Sequence, residues 1–89
     1  MKTEVLYTKN ARRDLRKLNH KEAAKIATKI EFYSKQKDPL KHAKKLRPPY
    51  DDLYRFRIGD YRAIFEVDNT GTITLLVILK VAHRKEVYE

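Results

Sequence analysis

The spacing of the apolar residues changes once along this 89-residue chain, from a helical period to the period of a strand. Before Asp38, apolar residues recur every three or four positions, which is typical of helices with one buried face. From Leu53 onward they largely alternate with polar residues, which indicates half-buried strands. Asp38-Pro39 separates the two parts, because the residue before a proline is pushed out of the α region. This division predicts an α+β domain whose helices cover one face of a sheet.

The first part of the chain is predicted to form a short strand and two helices. Thr3–Tyr7 reads as the strand, and Thr8 is a suitable N-cap for the helix that follows. One face of that helix carries Ala11, Leu15 and Leu18. Asn19 and Glu22 have the spacing of a capping box and begin a second helix that runs to about Lys35. The apolar stripe of this helix, with lysines on the opposite face, consists of Ala23, Ile26, Ala27, Ile30 and Tyr33.

The second part begins with a basic segment and continues as three antiparallel strands. Leu40–Asp52 is interpreted as a basic loop with one helical turn at its start, since it contains Pro48-Pro49. The predicted strands are Leu53–Ile58, Tyr61–Val67 and Thr72–Val81, of which the last is nearly all apolar and should lie centrally. Gly59-Asp60 and Asp68–Gly71 are the turns between them. We therefore expect one domain over residues 1–89, of order β-α-α-β-β-β, with a helical hairpin packed on one face of a small twisted antiparallel sheet.

Lysines and arginines outnumber the acidic residues by 21 to 12, which leaves a formal net charge of +9. An excess of this size opposes folding through self-repulsion and indicates a polyanionic or acidic partner. Nucleic acid is the first candidate, an acidic protein the second and an anionic membrane the third. The chain has no cysteine, so it has neither disulfides nor thiolate metal ligands. We see no signal-peptide pattern and no membrane-spanning apolar run, and therefore expect a cytoplasmic protein.

The two-residue turn determines which residues of the first hairpin lie opposite each other. Arg57 is expected to face Arg62, with Arg55 on the same face. The other face would be the core face and would contain Tyr54, Phe56, Ile58, Tyr61, Ala63, Phe65 and Val67. Opposed like charges destabilise a hairpin by a few tenths of a kcal/mol to about 1 kcal/mol, so a bound anion is one explanation for the arginines. The alternative is a solvated face on which acidic residues such as Glu66 pair with them.

The tail after the last strand contains the candidate for proton transfer. It runs from Lys80 to Tyr88, and we expect it to return along the arginine-bearing face. Histidine has an unperturbed pKa of about 6.5, which permits proton exchange near neutral pH, and His83 is the histidine of this tail. The alternatives are a structural role for His83 and a merely packed Tyr88 at the sheet edge. His20 and His42 are expected on the surface, and no His, Asp or Glu cluster has the spacing of metal ligands.

Three segments resemble the RelE/ParE toxin superfamily. The hairpin Leu53–Phe65 is similar to the central hairpin of that family, and Val81–Tyr88 is similar to its C-terminal signature in the RelE-like form that carries histidine. Lys45-Leu46-Arg47 fits the Lys-Leu segment that precedes the hairpin. The order of predicted elements agrees with the family over essentially the whole chain.

The resemblance implies the toxin of a type II toxin–antitoxin system. Such a toxin enters the ribosomal A site and cuts messenger RNA there, without a metal or another cofactor. The RNA 2′-hydroxyl attacks the adjacent phosphate and yields a 2′,3′-cyclic phosphate and a 5′-hydroxyl. The implied partners are the ribosome, its message and a RelB-like antitoxin that forms a hetero-oligomeric complex with the toxin; no membrane is involved.

The resemblance also implies roles for individual residues. Arg62 would hold the scissile phosphate, His83 would transfer protons and Tyr88 would orient the substrate or stack on it. Arg55 and Arg57 stand where relatives often have lysines, and because arginine stays protonated they can hold phosphate but cannot act as a base. Further RNA contacts are expected from Lys44, Lys45, Arg47, Lys80 and Arg84.

Two other functions fit parts of the same pattern. A ParE-like inhibitor of DNA gyrase would share the fold, bind a protein and cut no RNA. A non-enzymatic module, such as an inactivated toxin, would retain only the antitoxin complex. In each case an acidic or amphipathic antitoxin would lay a helix across the helix pair or add a strand to the sheet edge.

Overall fold

The computed structural model describes residues 3–68 and 75–87, and within them the predicted order of elements is confirmed with one strand added. The elements are β1 (Glu4–Tyr7), α1 (Lys9–Arg16), α2 (His20–Ser34), a 3₁₀ helix (Pro39–His42), β2 (Ala43–Lys45), β3 (Tyr54–Ile58), β4 (Tyr61–Val67), β5 (Leu75–His83) and a second 3₁₀ helix (Arg84–Glu86). Residues 69–74, which include most of the second predicted turn and the start of the third predicted strand, lie outside the described residues. None of the helices described is both long enough and apolar enough to cross a membrane.

The five described strands form one sheet in the order β1-β5-β4-β3-β2. β1 runs parallel to β5, and all the other neighbours are antiparallel. The three strands that we predicted to be antiparallel are antiparallel, and the parallel pairing of β1 with β5 is the one exception to the antiparallel sheet among the described strands. The chain reverses direction three times between β2 and β5, and β2 runs opposite to β1, so β5 runs in the same direction as β1. The apolar strand β5 lies inside the sheet, as predicted.

The strand β2 was missed in the sequence, where its residues were interpreted as part of a basic loop. Ala43–Lys45 is only three residues long and pairs with β3 at the edge of the sheet. Lys44 and Lys45 are both exposed. Short, lysine-rich edge strands are common because they discourage pairing with other chains, and they lack the alternation by which a strand is recognised.

Both helices begin at the predicted caps and pack on one face of the sheet. The Thr8 hydroxyl accepts a hydrogen bond from Ala11 N at 3.1 Å, and Asn19 Oδ1 accepts one from Glu22 N at 2.8 Å. Fully buried side chains from α2, β3, β4 and β5 form the core, namely Ile26, Ile30, Phe56, Phe65, Leu76 and Ile78. We call the side of the sheet that faces this core the helix face, and the other side the open face.

The register between β4 and β5 shifts by one residue at Leu79. Ile64 pairs with Lys80, whereas the next residue, Phe65, pairs with Ile78, so Leu79 is the extra residue of a β-bulge. Side-chain alternation along β5 is therefore out of phase on the two sides of the bulge. Ile78 faces the core before it, and Val81, rather than Lys80, faces the core after it.

Polar side chains of α1 and of its N-cap residue satisfy the backbone at this bulge. The Thr8 hydroxyl and the Asn10 amide each donate to the Leu79 carbonyl at 3.2 Å. One carboxylate oxygen of Asp14 accepts a hydrogen bond from Val81 N at 3.0 Å. The pairing of β1 with β5 ends at Tyr7, so these three side chains replace the hydrogen bonds that a neighbouring strand would otherwise supply.

Candidate functional site on the open face

The hairpin β3–β4 has the predicted register, and its arginines lie on the open face. Arg57 pairs directly with Arg62, and Arg55 pairs with Ile64. The residues predicted for the core face are buried or partly buried against the core, as expected. Gly59, the first residue of the two-residue turn, has a φ of 60°, a backbone conformation that glycine adopts without strain.

Two rows of side chains cross the open face from strand to strand. The first row is Lys44, Arg55, Ile64 and Lys80, taken from β2 to β5. The second row is Arg57, Arg62 and Ala82, and it lies next to the first on the side of the hairpin turn. Five of these seven side chains are cationic, so the open face has the charge that a phosphate backbone requires.

The arginines of these rows differ in exposure. Arg62 is 4% exposed and Arg55 is 8% exposed, whereas Arg57 is exposed. The Nη1 atom of Arg62 donates to the carbonyl of Gly59 at 3.1 Å and to that of Tyr61 at 2.9 Å. Arg62 is thus folded back toward the hairpin turn. An approaching anion meets the exposed cations Arg57, Lys44 and Lys80 first, and the buried guanidinium groups of Arg55 and Arg62 only afterwards.

His83 lies on the helix face, opposite the face on which we expected it. It is the last residue of β5 and pairs with Tyr61, and the two ring centroids are 5.5 Å apart. The bulge at Leu79 is the physical reason, because without it the alternation set by Ile78 would place His83 on the open face. The strand also extends two residues beyond the predicted end at Val81, so His83 belongs to the sheet rather than to a returning tail.

The imidazole of His83 caps the second 3₁₀ helix. Its Nδ1 accepts a hydrogen bond from Lys85 N at 3.2 Å, and Glu86 Oε1 accepts one from His83 N at 3.3 Å. Because Nδ1 accepts, the neutral ring carries its proton on Nε2. The ring borders a cleft of about 160 Å³ whose walls include Asp14 and Lys17 of α1. His83 and Arg62 therefore lie at the same end of the sheet but on opposite faces.

The other predicted RNA contacts are more scattered. Arg84 donates its backbone N–H to the Asp60 carbonyl at 2.7 Å, and its Nε lies 3.7 Å from a carboxylate oxygen of the same residue. Lys45 pairs with Tyr54, away from the two rows, and Arg47 is exposed in the connection after β2. Tyr88 lies outside the described residues.

Asp14 was missed in the sequence, although a signal for it was present. It lies three residues after Ala11, on the same side of α1 as the apolar stripe, where an acidic residue indicates a specific hydrogen-bond partner. That partner is the backbone at the bulge. Within residues 3–68 and 75–87, no group of three or more His, Asp or Glu side chains is placed to hold a metal ion.

The family of the chain is shown by a match over nearly its full length. A family model described as the ParE toxin of type II toxin-antitoxin system, parDE, matches residues 5–88. The chain belongs to the RelE/ParE family of type II toxins. This toxin is also 34% identical over 84 residues to Toxin RelG of Mycobacterium tuberculosis, a match that covers 94% of the chain and 93% of that relative.

Solved structures support the same assignment for the fold of the toxin. It is similar to a chain of the RelBE2 toxin–antitoxin complex from Mycobacterium tuberculosis, with a TM-score of 0.78 and 34% identity over 94% of the toxin and 100% of that chain. It is also similar to a chain of the archaeal RelE–RelB complex from Pyrococcus horikoshii, with a TM-score of 0.73 and 26% identity over 98% of the toxin and 100% of that chain. The predicted fold class, with helices on one face of a small sheet, is confirmed.

Proposed function

We propose that the toxin is a ribosome-dependent endoribonuclease that cuts messenger RNA in the A site, in the cytoplasm. The observation that supports this most directly is the opposed pair Arg57–Arg62, with Lys44 and Lys80 in the neighbouring row of the open face. Guanidinium groups bind phosphate oxygens in pairs and stabilise the charge that develops on them during cleavage. The archaeal relative that carries the RelE name supports the same choice.

In the proposed reaction the substrate RNA supplies its own nucleophile. The 2′-oxygen forms a bond to the adjacent phosphorus, and the bond from phosphorus to the 5′-oxygen breaks. The products are a 2′,3′-cyclic phosphate and a 5′-hydroxyl, so no water is consumed and no metal is required. The proton of the 2′-hydroxyl must be accepted by a base, and a proton must be delivered to the leaving 5′-oxygen.

The open face divides these tasks among its cations. Arg57 is exposed and makes the first contact with the scissile phosphate, together with Lys44 and Lys80. Arg55 and Arg62 lie deeper, and their direct contact with phosphate requires a rearrangement of the open face as the RNA binds. Guanidinium groups that are shielded from water interact more strongly with a developing negative charge.

Proton transfer is assigned to His83, and its position restricts the path of the RNA. Arg62 donates to the Tyr61 carbonyl, and the Tyr61 ring contacts His83, so all three groups meet at the end of the sheet next to the hairpin turn. The RNA must therefore pass around this end to reach both Arg62 and His83. Tyr88 and Arg84 complete the proposal as the stacking residue and a second phosphate contact.

The test is cleavage of a message bound to purified ribosomes, followed by primer extension and analysis of the RNA ends. We expect cuts in the A-site codon with a 2′,3′-cyclic phosphate, no cuts in the same RNA without ribosomes, and none when the scissile nucleotide is 2′-deoxy. Arg57→Ala should reduce cleavage at least tenfold. Arg16→Ala, which removes an exposed arginine of α1, should leave cleavage unchanged. Equal cleavage by wild type and Arg57→Ala would refute the assigned role of the open face.

Inhibition of DNA gyrase is the second candidate, because the family model that matches residues 5–88 is described as a ParE toxin. Such a toxin would cause gyrase-dependent DNA breaks and leave messages intact. Breaks without message cleavage would select this function, and cleavage without breaks would exclude it.

We further propose that an acidic RelB-like antitoxin holds the toxin in a hetero-oligomeric complex, since the two similar solved structures described above are toxin–antitoxin complexes.

A further inference from the structure

The second 3₁₀ helix holds the His83 ring in a form that cannot accept a proton. The neutral ring has one basic lone pair, on Nδ1, and that lone pair accepts the hydrogen bond from Lys85 N at 3.2 Å. If the ring proton moved from Nε2 to Nδ1, the new Nδ1–H would point at the Lys85 N–H, so that two donors would face each other. His83 can therefore act as a base only after the bond from Lys85 N has been broken.

Two further hydrogen bonds keep the second 3₁₀ helix in this position. Glu86 Oε1 accepts one from His83 N at 3.3 Å, which completes the capping box. Arg84 N donates the other to the Asp60 carbonyl at 2.7 Å and so ties the start of the helix to the hairpin turn. This last bond can persist while the backbone rotates between Arg84 and Lys85. Arg84 is thus the fixed point about which the cap on His83 can open.

The side chain of Arg84 is the group through which RNA can act on the cap. Its Nε lies 3.7 Å from a carboxylate oxygen of Asp60, and the two side chains are 54% and 66% exposed. Ion pairs with this exposure are weak, because water screens the charges. A phosphate offers the guanidinium group two parallel charge-assisted hydrogen bonds, so it can displace the Asp60 carboxylate.

The surroundings of the hairpin turn bring phosphate to Arg84. The Lys25 ammonium lies 3.9 Å from the position that a β carbon on Gly59 would occupy. Arg62 Nη1 donates to the Gly59 carbonyl, so a second cation contacts the same turn. The proposed path takes the RNA around this end of the sheet, and its phosphates therefore pass close to Lys25, Arg62 and Arg84.

We propose that the cap on His83 is an autoinhibitory contact, which opens when an RNA phosphate draws Arg84 away from Asp60. Opening frees Nδ1 from Lys85 N, and the ring can then accept the proton of the 2′-hydroxyl as the 2′-oxygen bonds to phosphorus. The imidazolium that results can return a proton to the leaving 5′-oxygen. Asp60 is a positioning residue in this scheme, since it acts on His83 through Arg84. This inference deepens the proposed function and rests on it for the reaction that His83 serves.

The first experiment compares Glu86→Ala with Glu86→Gln in single-turnover cleavage, with saturating toxin over ribosome-bound message. Both variants remove the same charge, but glutamine keeps an oxygen that can accept the bond from His83 N. We expect the saturated rate constant of Glu86→Ala to exceed that of Glu86→Gln about threefold or more, because the cap opens more easily. A cap that only stabilises the protein would make Glu86→Ala the slower variant.

A second comparison tests the link to the hairpin turn. Asp60→Asn weakens the hold on the Arg84 side chain and should also raise the saturated rate constant. Glu31→Gln is the matched control, because Glu31 forms a similarly exposed ion pair with Lys35 on α2, at 3.9 Å. Its rate constant should equal that of wild type. If Asp60→Asn only lowers the toxin concentration that gives half-maximal cleavage, the carboxylate merely repels RNA and the proposal fails.

The state of the ring can be measured without ribosomes, by nuclear magnetic resonance of the ¹⁵N-labelled toxin. In the free toxin we expect the Nε2–H tautomer of His83 and slow solvent exchange of the Lys85 amide proton. Titration with a 2′-deoxy oligonucleotide, which supplies phosphates but cannot be cleaved by the proposed reaction, should speed this exchange and shift the Nδ1 signal. Unchanged His83 and Lys85 signals at saturating oligonucleotide would overturn the proposal.

A further pair of variants applies if the cap stays closed in Glu86→Ala. Lys85→Pro has no N–H to donate to His83, whereas Lys85→Ala removes the same charge and keeps the donor. Lys85→Pro should cleave faster than Lys85→Ala, and an equal or slower rate in the folded variant would refute autoinhibition. Absence of cleavage by the wild-type toxin would refute the ribonuclease activity, and the resonance experiment would still decide whether phosphate opens the cap.

Discussion

The pair Arg57–Arg62 couples the stability of the toxin to its proposed activity. Two opposed guanidinium groups repel each other across the hairpin, by a few tenths of a kcal/mol to about 1 kcal/mol. Arg57→Thr removes this repulsion and introduces a residue that favours strands. We predict a higher free energy of unfolding in urea and, at the same time, weaker ribosome-dependent cleavage. A variant that gains stability and keeps full cleavage would show that the pair has no role in binding RNA.

His83 has a structural role in the cap and a proposed role in proton transfer, and one substitution separates them. In His83→Asn the side-chain oxygen can still accept the hydrogen bond from Lys85 N, as asparagine does at helix N-caps, but it cannot exchange protons near neutral pH. We predict that the free energy of unfolding of His83→Asn stays within about 1 kcal/mol of the wild-type value. The variant should cleave RNA at least a hundredfold more slowly.

The control for that experiment is His83→Ala, which removes both roles and should lose stability as well as cleavage. Full cleavage by the folded His83→Asn variant would assign His83 to the cap alone. Proton transfer would then have to come from another group at the end of the sheet.

For individual residues, the geometry of the Gly59-Asp60 turn could be predicted from the sequence. The face of the sheet on which each side chain of β5 lies could not. Gly59-Asp60 allows one register for β3 and β4, and therefore places Arg57 opposite Arg62 from the sequence alone. The face occupied by His83 depends on the extra residue at Leu79. The run from Leu75 to Val81 is uniformly apolar apart from Lys80, so no polar alternation marks the point at which the phase changes.

At the scale of elements, α1 holds the bulge in β5. The bond from Val81 N to the Asp14 carboxylate is a partly buried hydrogen bond to a charged group, and such bonds stabilise proteins by about 1.5–3 kcal/mol. We predict that Asp14→Ala lowers the free energy of unfolding by about this amount and weakens the contact between the His83 and Tyr61 rings, measured as a nuclear Overhauser effect. Asp14→Asn retains an acceptor and should lose less of both. An unchanged ring contact in Asp14→Ala would show that the bulge persists without this bond.

The edge strand β2 shows why Lys44 could be proposed as an RNA contact before its position in the sheet was known. Lys44 was predicted to contact RNA because it lies in a basic segment, and that reasoning needed no strand. The structure pairs Lys44 with Arg55 and so extends the first cationic row to the edge of the sheet. A strand of three residues is defined by its neighbour across the sheet rather than by its own sequence, which is why the pairing could not be predicted.

The whole molecule has two surfaces with different chemistry on opposite sides of one sheet. The open face is cationic and has Arg57, Lys44 and Lys80 as its outer groups, whereas the outward side of α2 combines lysines with the exposed ring of Phe32. Both add to a net charge of +9. This excess should steer any acidic partner toward the toxin, while the lifetime of a complex should depend on local contacts.

Salt should therefore separate the two contributions to antitoxin binding. Long-range attraction is screened with a Debye length of about 30 Å at 0.01 M salt and about 10 Å at 0.1 M salt. We predict that the association rate constant, measured by stopped-flow fluorescence, falls about tenfold or more between these salt concentrations, while the dissociation rate constant changes little. An association rate constant that is independent of salt would show that the net charge of the toxin does not guide this partner.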